Sequence, residues 1–380
     1  MLSCKETEDK RRTVFLKKKN ILLEILVLFL GGLALYTFTT NDAFLYRQPL
    51  LKISAVKNGK TRVTKDEFNN HDKQTIQKVT GYILNGTDRG KKYTFNNTYT
   101  ESGGMDQHLY AGQQVFVNVY QQRDQTSVSI ITFKRDTYLA MLLWLMACLL
   151  FIVMQVKGLR TIGSVILNFV LFLFVVQLDV NWNFTSFFGI FAVSALIFTV
   201  LTLVLILGWN KQCLVTLSAI IIGTATALGL CVLVMWITKD KGMHYEALDF
   251  ATQQPKQLFL SSSLIGLLGT VMDAATDIVS TLFEMKRRQP QVSFKRLYFS
   301  GRKVGNSIMG PLINVLLLIF FAETITLAIL YFRTGNSIGY TFSWTMSLGL
   351  VQALISGIGI TLVIPSASFL AAITLGRMEK

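Results

Sequence analysis

The sequence predicts a polytopic α-helical membrane protein of about eight spans, with a small β-barrel or sandwich domain after its first helix. Three observations predict it. Of 380 residues, 51% are hydrophobic and only 16% are charged, against about 25% charged in ordinary soluble chains. The apolar residues come in runs long enough to cross a hydrocarbon core of about 30 Å, which takes about 20 residues each. One sizeable polar segment, residues 39–136, interrupts them and reads as short β-runs separated by turns.

The chain opens with a strongly basic stretch, residues 1–20, expected in the cytoplasm. The apolar run 21–38 has no clear small-residue cleavage site and reads as a retained first span. In the polar segment, TIQKVTGYIL, KKYTFNNTYT, QQVFVNVYQ and TSVSIITFKR have strand character, and NGTDRGK, ESGGMDQ and QQRDQ have turn character. About five short strands suit a small barrel, in the manner of an OB-fold, or a sandwich. The seven-helix region 137–376 follows, with expected spans 138–156, 162–178, 184–208, 213–237, 257–284, 308–332 and 343–375. The last is expected to bend or break near Pro365.

The net charge of +15 does not indicate nucleic acid. Much of it flanks the spans, where Lys and Arg set orientation. Loop 285–307 alone holds Lys286, Arg287, Arg288, Lys295, Arg296, Arg302 and Lys303. The asymmetry predicts a multi-pass protein of the cell membrane with both termini cytoplasmic, residues 39–136 outside, and lipid headgroups against the basic loop. Cys4, Cys148, Cys213 and Cys231 imply no disulfide framework. His71, His108 and His244 lack metal-ligand spacing. Neither a metal nor a cofactor is expected.

The candidate site lies in the fifth of the seven spans. Ser262, Gly266, Gly269, Asp273, Asp277, Ser280 and Glu284 follow one another at steps of three and four, so they form one stripe on a helix. A carboxylate within the bilayer costs at least about 2.5–3.5 kcal/mol, so it normally faces a bundle interior or water and marks an ion or substrate path. Two carboxylates one turn apart do not readily both ionise, which suits proton or cation exchange. The competing reading is helix packing, with small residues permitting close approach. Gly266, Gly269 and Ser280 fit packing better than chemistry, as do Gly310 and Pro311 in the next span. Asn314 and Glu323 of that span are candidate helpers of Asp273 and Asp277, and Gln352, Ser356, Gly357 and Gly359 are further neighbours. Met309-Gly310-Pro311 is a place where the helix can open and free carbonyls to an ion. No catalytic constellation is evident: both aspartates sit on one helix, and no GxGD is present. An enzyme is therefore not expected.

Gly269–Glu284, followed by Gly301-Arg302-Lys303-Val304-Gly305-Asn306-Ser307-Ile308-Met309-Gly310, resembles the YibE/YibF family of bacterial multi-pass membrane proteins. Gly269, Met272 and Asp273 match the family's G-x-x-M-D core. Glu284 matches its glutamate. Gly301, Arg302, Gly305, Met309, Gly310 and Asn314 match the following glycine-rich run. The family's aspartate near Asn306-Ser307 is absent, Pro311 replaces a small polar residue, and Asp277 is not carried by the resemblance. The soluble segment makes the chain similar to the longer, YibE-type member. The resemblance implies a second, YibF-type subunit or a homo-oligomer, with the partner supplying the missing acid. The functional expectation is a transporter or exporter component of unknown substrate. The alternative is a non-transporting scaffold in envelope assembly or stress response that uses the β-domain as its binding module.

Overall fold

The computed structural model describes residues 26–65, 71–103, 106–122, 125–182, 187–247 and 254–376. The basic start and the first residues of the first span lie outside them. The chain divides into two compact units, Met1–Gln155 and Val156–Lys380.

The first unit holds helix α1 (Leu26–Thr40), five strands, and helix α2 (Asp136–Met154). The strands are β1 (Leu50–Lys65), β2 (His71–Ile83), β3 (Lys92–Thr100), β4 (Gln114–Gln122) and β5 (Gln125–Phe133). They form one antiparallel sheet in the order β3-β2-β1-β4-β5. The sheet is open, so the expected barrel is not formed. Closure would need a ladder between the edge strands β3 and β5, and none forms among the described residues. The central strand β1 is paired unevenly. It pairs with β2 from Leu51↔Ile83 to Lys65↔His71, but with β4 only from Leu50↔Phe116 to Lys52↔Gln114. The far half of β1 stands beyond the shared core as a long, exposed hairpin. β1 is not among the strand runs the sequence indicates.

The sheet core is Leu51, Ile53, Val79, Ile83, Leu109, Val115 and Val117. Gln77 is fully buried among them and is satisfied. Its amide donates to Asn58 Oδ1 and the Leu109 carbonyl and accepts from the Leu109 N–H, at 2.9–3.2 Å. One buried amide thus fastens loop 107–109 to the sheet. At the sheet's far end Asp72 accepts from the backbone N–H groups of Lys73, Glu101 and Ser102 at 2.8–3.2 Å, and from Ser102 Oγ at 2.5 Å. The Ser102 bond, with the backbone donors, holds this carboxyl below its ordinary range. A depressed carboxyl stabilises the fold above its unfolded value of about 3.9 and loses that contribution as pH falls through the folded value. The melting temperature of fragment 39–136 is therefore expected to fall more steeply from pH 5 to pH 2 than that of its Asp72→Ala variant. Superimposable pH profiles would refute this.

In the second unit are α3 (Val156–Trp182), α4 (Phe187–Leu207), α5 (Lys211–Thr238), α6 (Pro255–Arg288), α7 (Phe294–Arg333) and α8 (Ile338–Gly376). With α2, these make seven described helices long and apolar enough to span a membrane. The eighth candidate, α1, is shorter than that in its described part. Asn210 and Ser293 accept N-cap bonds from Cys213 and Arg296, and Pro255 opens α6 where its missing N–H costs nothing.

Three expectations about the helices are corrected. Loop 285–307 shrinks to residues 289–293 between α6 and α7, and its basic residues sit on two helix ends. α7 begins at Phe294, well before the expected start at 308, and Gly301 and Gly305 pack within this added stretch. α7 is continuous through Met309-Gly310-Pro311 and α8 through Pro365. The irregular backbone of α8 is instead a π-turn at Phe342–Met346. The core gathers α6, α5 and α8 around Leu267, Val271, Ile278, Leu282, Ile360 and Val363.

Candidate functional site

α6 is a buried helix with one open side. Leu267, Val271, Ala274, Ala275, Ile278 and Leu282 are 0% exposed. The opposite face carries the small and acidic stripe, on which Ser262, Gly269, Asp273 and Asp277 are exposed and Gly266, Ser280 and Glu284 are half-exposed. Asp273 and Asp277 lie on the face of α6 turned away from this chain's core.

The ends of the stripe are occupied. Gln352 of α8 reaches Ser262 at 3.4 Å, and its amide nitrogen is 3.2 Å from where a Gly266 side chain would begin. Gln212 of α5 donates to Ser280 Oγ at 2.8 Å. Glu284 is ion-paired with Arg288 at 2.8 Å and Arg287 at 3.4 Å, which removes it from the set of free acids. Between these ends, no side chain among the described residues hydrogen-bonds or ion-pairs with the carboxylates of Asp273 or Asp277. Asn314 and Glu323 are exposed on α7, and neither is hydrogen-bonded to the aspartates.

The glycines sort by what surrounds them. Gly269 and Gly310 face open space, so the packing expected of them is not made within this chain. Pro311 is likewise exposed. Packing is carried by others. A Cβ on Gly301 would lie 2.5 Å from Ser368 Oγ and 2.9 Å from Leu282 Cδ1, and one on Gly305 would overlap Ile364. Gly359 similarly meets Leu267 and Val271. The GRKVG run is thus the crossing of α7 over α8. Gly305→Val is expected to destabilise the detergent-solubilised protein by about 1–3 kcal/mol through overpacking, read as a lowered melting temperature. Gly310→Val, facing open space, should leave it unchanged. Equal effects would contradict the assignment.

A second polar cluster, in the first unit, has no counterpart in the sequence reading. Lys134 Nζ lies 2.8 Å from Asp42 Oδ1, with side chains 3% and 4% exposed, and 2.8 Å from Asp136 Oδ2. It also donates to the Thr39 carbonyl at the end of α1. The Tyr46 hydroxyl lies 2.8 Å from Asp42 Oδ2 and 2.7 Å from Asp136 Oδ2, so one phenolic proton serves two carboxylates. Burial, then the bonds to the two carboxylates, pushes Tyr46 far above its ordinary value; it stays a donor at all working pH. Asn85 completes the junction, accepting from Leu50 N–H and donating to the Tyr46 and Gln48 carbonyls. These residues lock the end of α1, the sheet and the start of α2 together. No group of three or more potential metal ligands occurs among the described residues.

A seven-span helical region with unpaired carboxylates on its central helix, joined to an open-sheet domain, defines a multi-pass membrane protein. The YibE/F-like protein family model matches residues 142–377, and the YibE/F family N-terminal domain model matches residues 44–133. The chain belongs to the YibE/F-like family. No curated protein and no solved structure matches it.

Proposed function

We propose that this chain is one subunit of a membrane transporter in which Asp273 is the proton or cation site, Asp277 modulates it, and a second subunit closes the path. One observation carries the reading: the two aspartates without an ion-pairing partner lie on the outward side of a helix whose other faces are buried. Facing lipid, each ionised carboxylate would be costly. Water or another protein must therefore meet them. Exposed Ser262 and Gly269 on the same side let a second helix approach closely. Asn314 and Glu323 are placed on the neighbouring α7 as candidate contributors to the same path. A further YibF-type subunit or a second copy of this chain is the proposed partner, the membrane is a cell membrane, and no bond-making chemistry is assigned.

Cysteine accessibility tests this. In a chain lacking Cys4, Cys148, Cys213 and Cys231, single cysteines are placed along 262–284 and treated in cells with a charged, membrane-permeant-free thiol reagent. A water path predicts labelling at 266, 269, 273 and 277 and none at 267, 271 and 278. Absence of labelling along the stripe, with disulfide cross-links between copies instead, would replace the path with a sealed assembly surface.

A further inference from the structure

The first unit contains two adjoining cavities of opposite character. One, of about 260 Å³, lies where the end of α1 and the start of α2 meet the sheet; Gln113, Gln114, Lys134, Arg135 and Tyr138 line it. Its lining holds two cations and no acid. Lys134 is spent on Asp42 and Asp136. Arg135 is exposed, lies 6.0 Å over the Phe133 ring, and makes no ion pair among the described residues. The other cavity, of about 430 Å³, is an almost wholly apolar groove between α1 and α2, with Leu28, Leu33, Trp144, Leu145 and Ile152 among its walls. Tyr36 lines both.

The groove is built rather than incidental. Trp144 of α2 sits against Gly31 and Gly32, with a Gly31 Cβ position 2.6 Å from its ring, and its Nε1 donates to the Leu28 carbonyl at 3.2 Å. The two glycines bring the helices together at that level and leave a furrow beside the contact. From Leu28 to Tyr36 the groove follows about 12 Å of helix, close to the depth of one leaflet of a core about 30 Å thick. Tyr36 and Tyr138, 49% and 75% exposed, lie near the ends of α1 and α2 that adjoin the sheet, and amphipathic rings of this kind favour membrane surfaces.

We propose that this pair of cavities is a binding site for one anionic phospholipid. Its phosphate lies against Arg135 and the amide nitrogen of Gln113, whose oxygen is already held by the Tyr110 N–H, and one acyl chain lies in the α1–α2 groove. Charge decides for a phosphate-bearing headgroup, since the free group at the polar end is a guanidinium, which suits phosphate geometry. The apolar length decides for a membrane lipid over a soluble phosphate.

The test uses the full chain in phosphatidylethanolamine vesicles carrying a trace of phosphatidylglycerol with a photoactivatable acyl chain. Cross-links are mapped by peptide mass spectrometry. Cross-links concentrated in 28–36 and 141–152 are expected. Both Arg135→Gln and Leu33→Trp, which fills the groove, should reduce them at least fivefold. Millimolar glycerol phosphate should not compete. A diacylglycerol probe with the same chain should label the wild-type groove at least fivefold less. Labelling spread evenly over all helices would overturn the proposal, as would equal labelling by diacylglycerol or competition by glycerol phosphate. The diacylglycerol comparison needs no variant, so misfolding of either substitution leaves the proposal open to refutation.

Discussion

Lys134→Ala is expected to destabilise fragment 39–136 by about 3–5 kcal/mol. Removing one member of a buried ion pair leaves the other charged and unsolvated, and the Asp42 side chain is only 4% exposed. A small domain has about 5–15 kcal/mol in all, so the variant should be largely unfolded in mild urea. The Lys134→Met, Asp42→Leu double variant should recover part of the loss, because no uncompensated charge remains beside the half-exposed Asp136. Urea titrations followed by circular dichroism measure both. A loss below about 1 kcal/mol for Lys134→Ala would mean that water reaches the cluster and that the ion pair holds nothing. The same geometry sets where the domain can be cut. Bounds of 44–133 remove Asp42, Lys134 and Asp136 together and leave the Tyr46 hydroxyl without either carboxylate, so that fragment should be less stable than 39–136 without carrying an uncompensated buried charge.

With Asp273 as the proton or cation site proposed above, Asp273→Asn is expected to abolish the chain's activity in cells while the protein still reaches the membrane and assembles. A proton or cation site needs the charge, and an amide cannot supply it. A packing site needs only hydrogen bonds and would accept Asn but reject Leu. Asp277→Asn should give a smaller loss, since Asp273 would keep its carboxylate. Growth complementation with parallel native gels separates the cases. Retained function in Asp273→Asn, with failed assembly in Asp273→Leu, would move the stripe from path to interface. Replacing Arg287 and Arg288 together by Gln is a useful contrast: it frees Glu284 at the stripe's end without touching the aspartates.

The helices were legible because their apolar runs exceed what any soluble helix needs, and α2, α4 and α5 fall within a few residues of the expected spans. What failed was local. The segment Phe294–Met309 contains Lys, Arg, Gly, Ser and Asn and reads as loop, yet Gly301 and Gly305 make it the tightest part of the α7–α8 crossing. Pro311 and Pro365 suggested breaks, but neither helix is interrupted there. The stripe on α6 follows from helical spacing alone. Its outward direction does not, because spacing defines a face and says nothing about which side the neighbours occupy. Four of the five strands of the polar segment were readable as β-type runs between turns, whereas closure depends on whether the edge strands β3 and β5 meet. The Asp42–Tyr46–Lys134–Asp136 cluster was out of reach for another reason: Tyr46 and Asp136 are 90 positions apart, and nothing in either neighbourhood announces the other.

The unbroken course of α7 has a mechanical consequence. Forty residues at 1.5 Å each make a rod about 60 Å long, twice the thickness of the hydrocarbon core. Its basic end and the Glu323 region belong to one stiff body, hinged by Gly301 and Gly305 where they bear on α8. A tilt of about 10° about that contact carries the basic end about 2 Å and the far end about 8 Å sideways. An event at the charged tip is therefore felt at the far side of the bilayer as leverage, without any signal passing through side chains in between.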